Sequence, residues 1–390
     1  MKNLFLGILI LTSGLLSAQN VVPGGKETIK IKGFVSQTFF MQDQKFAFGN
    51  GQKAEWVLPP AASTNKSFYG FDVRNSRLTL VFNGPEIAKD WKLGGVLEAD
   101  FFAGNVGNGV FSPQMPTPRL RLAYLDFVHN QTRIRMGQAW TPMFGNVPVS
   151  VSHIAFPLGY GNAGFVGWRF PGIFLYQGLS DKSSDVKIRL DAALFANSWT
   201  GPGDNDNFMN AGNVGTPQME TKLNFTAKSW SAYLVAHYDQ KELAAIDTTA
   251  SNKLAGTAFE VGAKFHHKGF LLQGNLYSGK NIGQQFGGIT QFQMTTDDLR
   301  SLGYWVQAGY VFDKKVGVYG FLGKEKVNHD DVVKLGLSRS EHTLSNFMID
   351  YKLGAVTLGV EWLHSKLGYY DGNDKTADGN QYSFSALYKF

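Results

Sequence analysis

The sequence predicts an all-β fold, a transmembrane antiparallel β-barrel of about 16 strands, and three observations carry that expectation. From Ile29 onward, apolar and aromatic residues alternate with Gly, Ser, Asn and charged residues over runs of about ten, the period-2 signature of strands with one dry and one wet face. The connections between these runs alternate between short and long, as a barrel with tight turns at one rim and loops at the other requires. The final segment, Gln381–Phe390, puts Tyr382, Phe384, Ala386, Tyr388 and Phe390 on one face and ends on an aromatic, whereas the last residues of a soluble chain normally fray.

Composition removes several classes. A 390-residue chain with 43% hydrophobic residues is too apolar for disorder, and 17% charge is low for a soluble domain. The absence of Cys excludes a disulfide framework and thiolate metal sites. The charge balance is 37 − 31 = +6.

At the N-terminus, Met1-Lys2-Asn3 supplies a positive charge, Leu4 to Leu16 is apolar, and Leu16-Ser17-Ala18 ends in small residues. This pattern predicts a signal peptide over 1–18, cut after Ala18, with residues 19–390 forming the barrel domain. The apolar run is too short for a spanning helix, and after Ala18 no window offers the 18 or so consecutive apolar residues that a membrane helix needs.

Sixteen strands follow from the alternation, at about 28–41, 68–82, 91–102, 119–128, 132–140, 168–178, 185–196, 218–226, 230–239, 257–265, 270–279, 302–312, 316–325, 341–351, 355–364 and 381–390. The short connections include His129-Asn130-Gln131, Ala227-Lys228-Ser229, His266-His267-Lys268-Gly269, Asp313-Lys314-Lys315 and Lys352-Leu353-Gly354. The long ones carry most of the Pro and the Gly-Asn clusters. Fourteen or eighteen strands stay open as alternatives, because Pro171 interrupts the sixth run, where a ladder hydrogen bond would be lost.

Face assignment rests on cost. In the fourth and fifth runs, Leu120, Leu122, Tyr124, Ile134 and Met136 oppose Arg119, Arg121, Arg133 and Arg135. An arginine facing lipid costs about 2 to 4 kcal/mol near the midplane, so these four should line the lumen. In the second run Arg77 joins them, while Arg74 is out of phase unless a bulge intervenes. In the third, Glu98 and Asp100 share the inner face. The expected inner wall thus holds five arginines against two carboxylates, 5 − 2 = +3. Cross-strand pairing would brace part of this set, and the surplus would favour anions. The seventh run adds Lys187, Arg189 and Asp191 to the polar face.

The third outer connection, residues 141–167, is unusually apolar and contains no Asp or Glu. Folding into the lumen to narrow the pore explains that composition; a lid over the mouth or a contact with a neighbouring subunit are the alternatives. Pro142, Phe144, His153, Phe156 and Tyr160 are its expected constriction residues.

The strings Arg74-Asn75-Ser76-Arg77-Leu78-Thr79-Leu80, Leu97-Glu98-Ala99-Asp100-Phe101-Phe102, Pro118-Arg119-Leu120-Arg121-Leu122-Ala123-Tyr124 and Met136-Gly137-Gln138-Ala139-Trp140-Thr141 resemble trimeric Gram-negative porins of the DcaP-like kind. Similar strings occur in porins called phosphate-selective, and the last strand resembles the C-terminal targeting strand of outer-membrane barrels. The resemblance covers about residues 70–145 and that strand. It implies a sixteen-stranded homotrimeric channel in the outer membrane of a Gram-negative bacterium, with the third loop in the lumen and uptake of small anionic solutes, often dicarboxylates. Some such porins carry an N-terminal coiled-coil extension; here only Gln19–Thr28 precedes the first strand, so a trimerisation stalk is expected to be absent.

Other chemistry is poorly supported. His266-His267 lacks metal-site spacing, no nucleophile elbow or helical zinc motif occurs, and Asp204-Asn205-Asp206 and Asp371-Gly372-Asn373-Asp374 read as solvated turns. The basic residues form no single patch suited to nucleic acid. The expectation is therefore a cofactor-free passive channel for small hydrophilic solutes, preferring anions such as carboxylates or phosphate, with outer-membrane lipid around it. A blocked structural or adhesive barrel and an outer-membrane hydrolase are the rival readings.

Overall fold

The computed structural model describes residues 20–21, 28–47, 51–61, 64–88, 90–103, 116–152, 162–196, 216–242, 253–291 and 295–390. The expected signal peptide lies outside them, as do His153, Phe156, Tyr160 and the Asp204–Asp206 turn.

Sixteen antiparallel strands close into a barrel. They are β1 (Thr28–Gln42), β2 in two pieces (Phe68–Asp72 and Arg77–Glu86), β3 (Lys92–Ala103), β4 (Thr117–His129), β5 (Thr132–Trp140), β6 (Arg169–Gly178), β7 (Lys187–Phe195) and β8 (Gln218–Thr226). The second half comprises β9 (Trp230–Glu242), β10 (Lys253–His267), β11 (Phe270–Lys280), β12 (Arg300–Phe312), β13 (Val316–Val327), β14 (Arg339–Leu353), β15 (Val356–Tyr370) and β16 (Asp374–Lys389). Each strand pairs with both neighbours, and β16 closes on β1 from Lys389↔Phe34 to Gln381↔Gln42. Closure removes the free edge that hydrocarbon cannot satisfy. Asn20–Val21 continues the seam by pairing with Ile29 and Lys30.

Two irregularities read in the sequence have local causes. Both pieces of β2 pair with β1, and between them Val73–Ser76 turns out of the ladder, with Ser76 N–H donating to Val73 O. That break relieves the phase conflict at Arg74, whose guanidinium pairs with Asp72 at 2.8 Å. Pro171 sits inside β6 without breaking it. Its carbonyl accepts from Ala196 N–H, so its nitrogen also points toward β7, where that strand is ending and no donor is required.

The short turns lie near where expected, although His129 belongs to β4, Lys352 and Leu353 to β14, and His266 and His267 to β10, where the turn itself is Lys268-Gly269. Its φ values of 46° and 90° are those of a tight hairpin turn. One long connection is corrected. The expected loop over 365–380 is mostly strand, because β15 and β16 extend to a three-residue turn, Asp371–Asn373. Alternation continues through it, with Leu363, Ser365, Leu367, Tyr369 and Ala377 buried. Its outer face carries Lys366, Thr376 and Asp378, so the segment lacks the apolar partner face that marks a lipid-spanning run. Between β13 and β14 lies a short helix, α1 (His329–Lys334), whose first turn is capped by the Asn328 side chain accepting from Asp331 N–H.

The two faces of the sheet differ sharply. Outward side chains such as Leu97, Met136, Leu234, Phe259, Leu322 and Phe384 are exposed apolar groups, a belt suited to hydrocarbon. Inward positions are largely polar. An apolar core nevertheless forms inside the mouth: Phe46, Trp56 and Val57 of the first outer connection, Ala163 and Phe165 of the third, and Ile289 and Leu299 of the sixth pack on inward-facing Trp305, Phe321, Leu344 and Leu363.

Candidate functional site: a basic wall facing an acidic wall

The basic wall runs over β2 to β7. Arg119 makes a bidentate pair with Asp100, with Nε–Oδ1 3.0 Å and Nη2–Oδ2 2.7 Å. Arg121, 1% exposed along its side chain, bridges Glu98 at 2.8 Å and Asp100 at 2.9 Å. Arg77 approaches Glu98 at 3.6 Å and lies over the Phe34 ring. Arg77, Arg119 and Arg121 and both expected acids therefore share the inner face.

Two corrections follow. Tyr124 and Leu122 were expected on the lipid face, but the pairing register shifts between Glu98 and Ala99, which inverts the phase of β4 after Arg121. Leu120 and Leu125 point outward, each 50% exposed, and Tyr124 turns inward beneath Arg135, whose guanidinium sits 3.5 Å from the ring centroid. The same shift brings Asp126 inside, where Arg135 binds it bidentately at 2.7 and 2.9 Å and Arg133 lies at 4.0 Å. The surplus on β2 to β5 is thus 5 − 3 = +2, not +3. Adding Arg189 and Asp191, paired at 2.6 Å on β7, and buried Arg169 at the start of β6, which lies over the Trp140 and Trp168 rings, brings it to 7 − 4 = +3. Lys187 instead donates to backbone carbonyls in the preceding turn.

Pairing does not hide every cation. Arg133 and Arg189 keep about half of their side-chain surface, 48% and 51%, and flank Tyr176. Arg119, Arg121 and Arg135 are mainly bracing groups, whereas these two present charge.

The facing wall, β8 to β15, is acidic. Glu220, Asp239, Glu260, Glu325 and Glu361 are all buried there. His237 is held between Glu220 and Asp239 at 2.9 and 3.0 Å. The acid-free third connection reaches three of these acids, Glu325 being bound more closely by Ile289 N–H of the sixth at 2.6 Å. Met143 N–H donates to Glu220 at 2.7 Å, and Gly164 N–H points to Glu325 at 3.5 Å. Glu361 accepts from Ser152 N–H and from both Ser150 and Ser152 hydroxyls. Val149 exchanges two hydrogen bonds with the Gln307 side chain, and Lys222 donates to Pro142 O at 2.8 Å. Contact is close enough that Gly164, at φ 93°, has no room for a Cβ against the Tyr304 backbone. Phe144 stacks on Trp140 at 3.6 Å and meets Phe165 edge-on. The described ends of this connection, 141–152 and 162–168, therefore lie on the inner face of the wall.

No family model matches the chain, and no curated protein matches it in sequence. Solved structures do match. The outer membrane channel DcaP of Acinetobacter baumannii superposes with a TM-score of 0.70 at 17% identity, covering 93% of this chain and 97% of that one. The fold is that of outer-membrane porins. An anion-selective porin from Comamonas acidovorans gives a TM-score of 0.60 at 14% identity over 94% and 100% of the two chains. The trimer form of OmpT, an outer membrane protein of Vibrio cholerae, gives 0.56 at 13% over 93% and 99%. The sixteen-stranded porin barrel expected from the sequence is thus present along nearly the whole chain. Within it, the basic wall was legible from arginine phase. The buried acids facing it were missed, although Glu220, Glu260, Glu325 and Glu361 each sit on the polar side of a period-2 run.

Proposed function

We propose that the chain is an outer-membrane diffusion channel, working as a homotrimer, that passes small hydrophilic solutes and favours anions such as carboxylates or phosphate. One observation carries this reading: the described ends of the third connection engage three of the five acids of that wall, Glu220, Glu325 and Glu361, through loop N–H and hydroxyl groups, while Asp239 and Glu260 are bound by His237, Gln284, Tyr233 and Asn275. The charge left facing open lumen is then mainly that of the opposite, basic wall, where Arg133 and Arg189 are half exposed. Fixed guanidinium groups in a narrow, low-dielectric passage raise the local anion concentration without any chemical step. Arg77, Arg119, Arg121 and Arg135, with Glu98, Asp100 and Asp126, set the shape of that wall. Residues 141–167 set the width of the passage, with Pro142, Phe144, His153, Phe156 and Tyr160 as its proposed constriction residues.

A second reading draws support from the apolar core inside the mouth: a structural barrel whose lumen is blocked. Liposome swelling separates the two. Vesicles containing the protein should swell in isotonic arabinose and faster in the sodium salt of a small dicarboxylate than in a zwitterion of equal size. No swelling in any of the three would establish the blocked barrel.

A further inference from the structure

The sixth outer connection, between β11 and β12, opens with a run over 281–291 that contains no charged residue. Every residue of that run except Phe286 is buried, whereas a loop normally lies on the surface. Its partners are the inner wall and the third connection together. Ile282 packs with inward-facing Tyr233 and Tyr277 of the wall and with Met143 and Val166 of the third connection. The Gln284 side chain donates to Gln218 on β8 at 2.9 Å and to Asp239 on β9 at 2.6 Å. Neighbouring strands lie about 4.8 Å apart, so a run that leaves β11 and reaches β8 crosses roughly 14 Å of the inner wall.

Both ends of the run hold the returning arm of the third connection, 162–168. Gln285 O accepts from Gly167 N–H at 2.8 Å, and the Phe286 ring meets Trp168 at a centroid distance of 4.6 Å. At the other end the Thr290 hydroxyl donates to the Asn162 side chain.

The backbone of the run is held against its own preference. Ile289 and Thr290 have φ values of 40° and 50°, in a left-handed region that β-branched residues rarely adopt and that persists only where the surroundings enforce it. Glu325 accepts from Ile289 N–H at 2.6 Å, and Arg339 donates from Nε to Ile289 O and from Nη2 to Thr290 O, each at 3.0 Å. The Gln291 side chain completes the clip, accepting from Arg339 N–H at 2.8 Å and donating to Arg339 O at 2.7 Å. The Arg339 guanidinium also lies over the Trp56 ring of the first connection, 4.6 Å from its centroid. One side chain at the head of β14 thus fastens two loops.

We infer that residues 281–291 are a strap that holds the returning arm of the third connection on the wall, a second element setting the width of the passage, with Arg339 as its positioning residue. The strap rests on these contacts alone; its effect on width rests on the channel reading above. Without the Arg339 fork the left-handed turn at Ile289 and Thr290 loses its main restraint, and a relaxed run no longer presents Gln285 O and the Thr290 hydroxyl to the arm.

The test follows amide exchange by mass spectrometry in the whole protein in detergent micelles, together with liposome swelling. In Arg339→Ala, exchange in the peptide covering 162–168 should quicken at least about tenfold, because two charge-assisted hydrogen bonds are lost. Swelling in raffinose should rise relative to arabinose. Gln284→Ala loosens the opposite end and should move both readouts the same way; it carries the test if Arg339→Ala loses heat-modifiable gel mobility. Arg339→Lys, which keeps a charged donor, should lie between the wild type and Arg339→Ala. Unchanged exchange in the folded variants would overturn the strap. Faster exchange with an unchanged raffinose-to-arabinose ratio would overturn its role in setting the width. Absent arabinose swelling in the wild type would instead defeat the channel reading, with the exchange result still deciding the strap.

Discussion

Asp100→Ala should cost about 3 to 5 kcal/mol of barrel stability, measured by urea unfolding in lipid vesicles, because it strands two guanidinium groups at once. Asp100 is fully buried and accepts from Arg119 Nε and Nη2 and from Arg121 Nη1. Arg121 would retain Glu98 as its ion-pair partner, and the Trp140 ring, in a site where 1% of its side chain reaches solvent. The sign of the functional effect is opposite. Loss of one carboxylate makes the inner wall more basic, so barrels that fold should prefer anions more strongly. Replacing Asp100, Arg119 and Arg121 together by apolar residues of similar volume should recover much of the stability, since a buried ion cluster is often no more stabilising than good packing. A small effect of Asp100→Ala alone would show that water reaches the cluster.

Glu361→Ala should release the segment that follows Val149. Three loop groups, Ser150 Oγ, Ser152 N and Ser152 Oγ, converge on this one carboxylate, and Asn346 supports it from the neighbouring strand at 2.8 Å. Leaving those donors unsatisfied costs about 3 kcal/mol or more, which raises the population of the detached segment about a hundredfold. In single-channel recordings this should appear as larger, noisier conductance. Glu361→Gln, which keeps one acceptor oxygen, should be intermediate. Unchanged conductance and noise in Glu361→Ala would mean that the segment lies away from the conducting path.

The contrast between these two sites shows what the sequence could convey. Strand number and closure were legible because hydrocarbon imposes strict alternation, and even Pro171 left that pattern intact. The inward phase of Arg119 and Arg121 was legible because the opposite face would be costly. Asp126 was missed for an instructive reason: carried through without a bulge, the phase of β4 puts it in the lipid belt. That placement carries its own cost, so the carboxylate itself was the signal that the register shifts near Leu122. The outer hairpin at Asp371–Asn373 was hidden because the strand there rises beyond the belt and its outer face turns polar. Loop packing was harder to see. The lack of acids in residues 141–167 suggested a partner, but which wall receives the loop depends on Glu220, Glu325 and Glu361, which are far apart in sequence and converge only when the barrel closes.

The central claim is that the open side of the lumen is basic because loop and neighbouring groups engage the acids of the facing side. Reversal potential in a planar bilayer under a KCl gradient tests it most directly. The wild-type channel should reverse on the chloride side of zero, and Arg133→Gln/Arg189→Gln should move that potential toward zero without loss of stability, since both side chains are about half exposed. A wild-type channel that reverses on the potassium side, or a double variant with unchanged selectivity, would contradict the account.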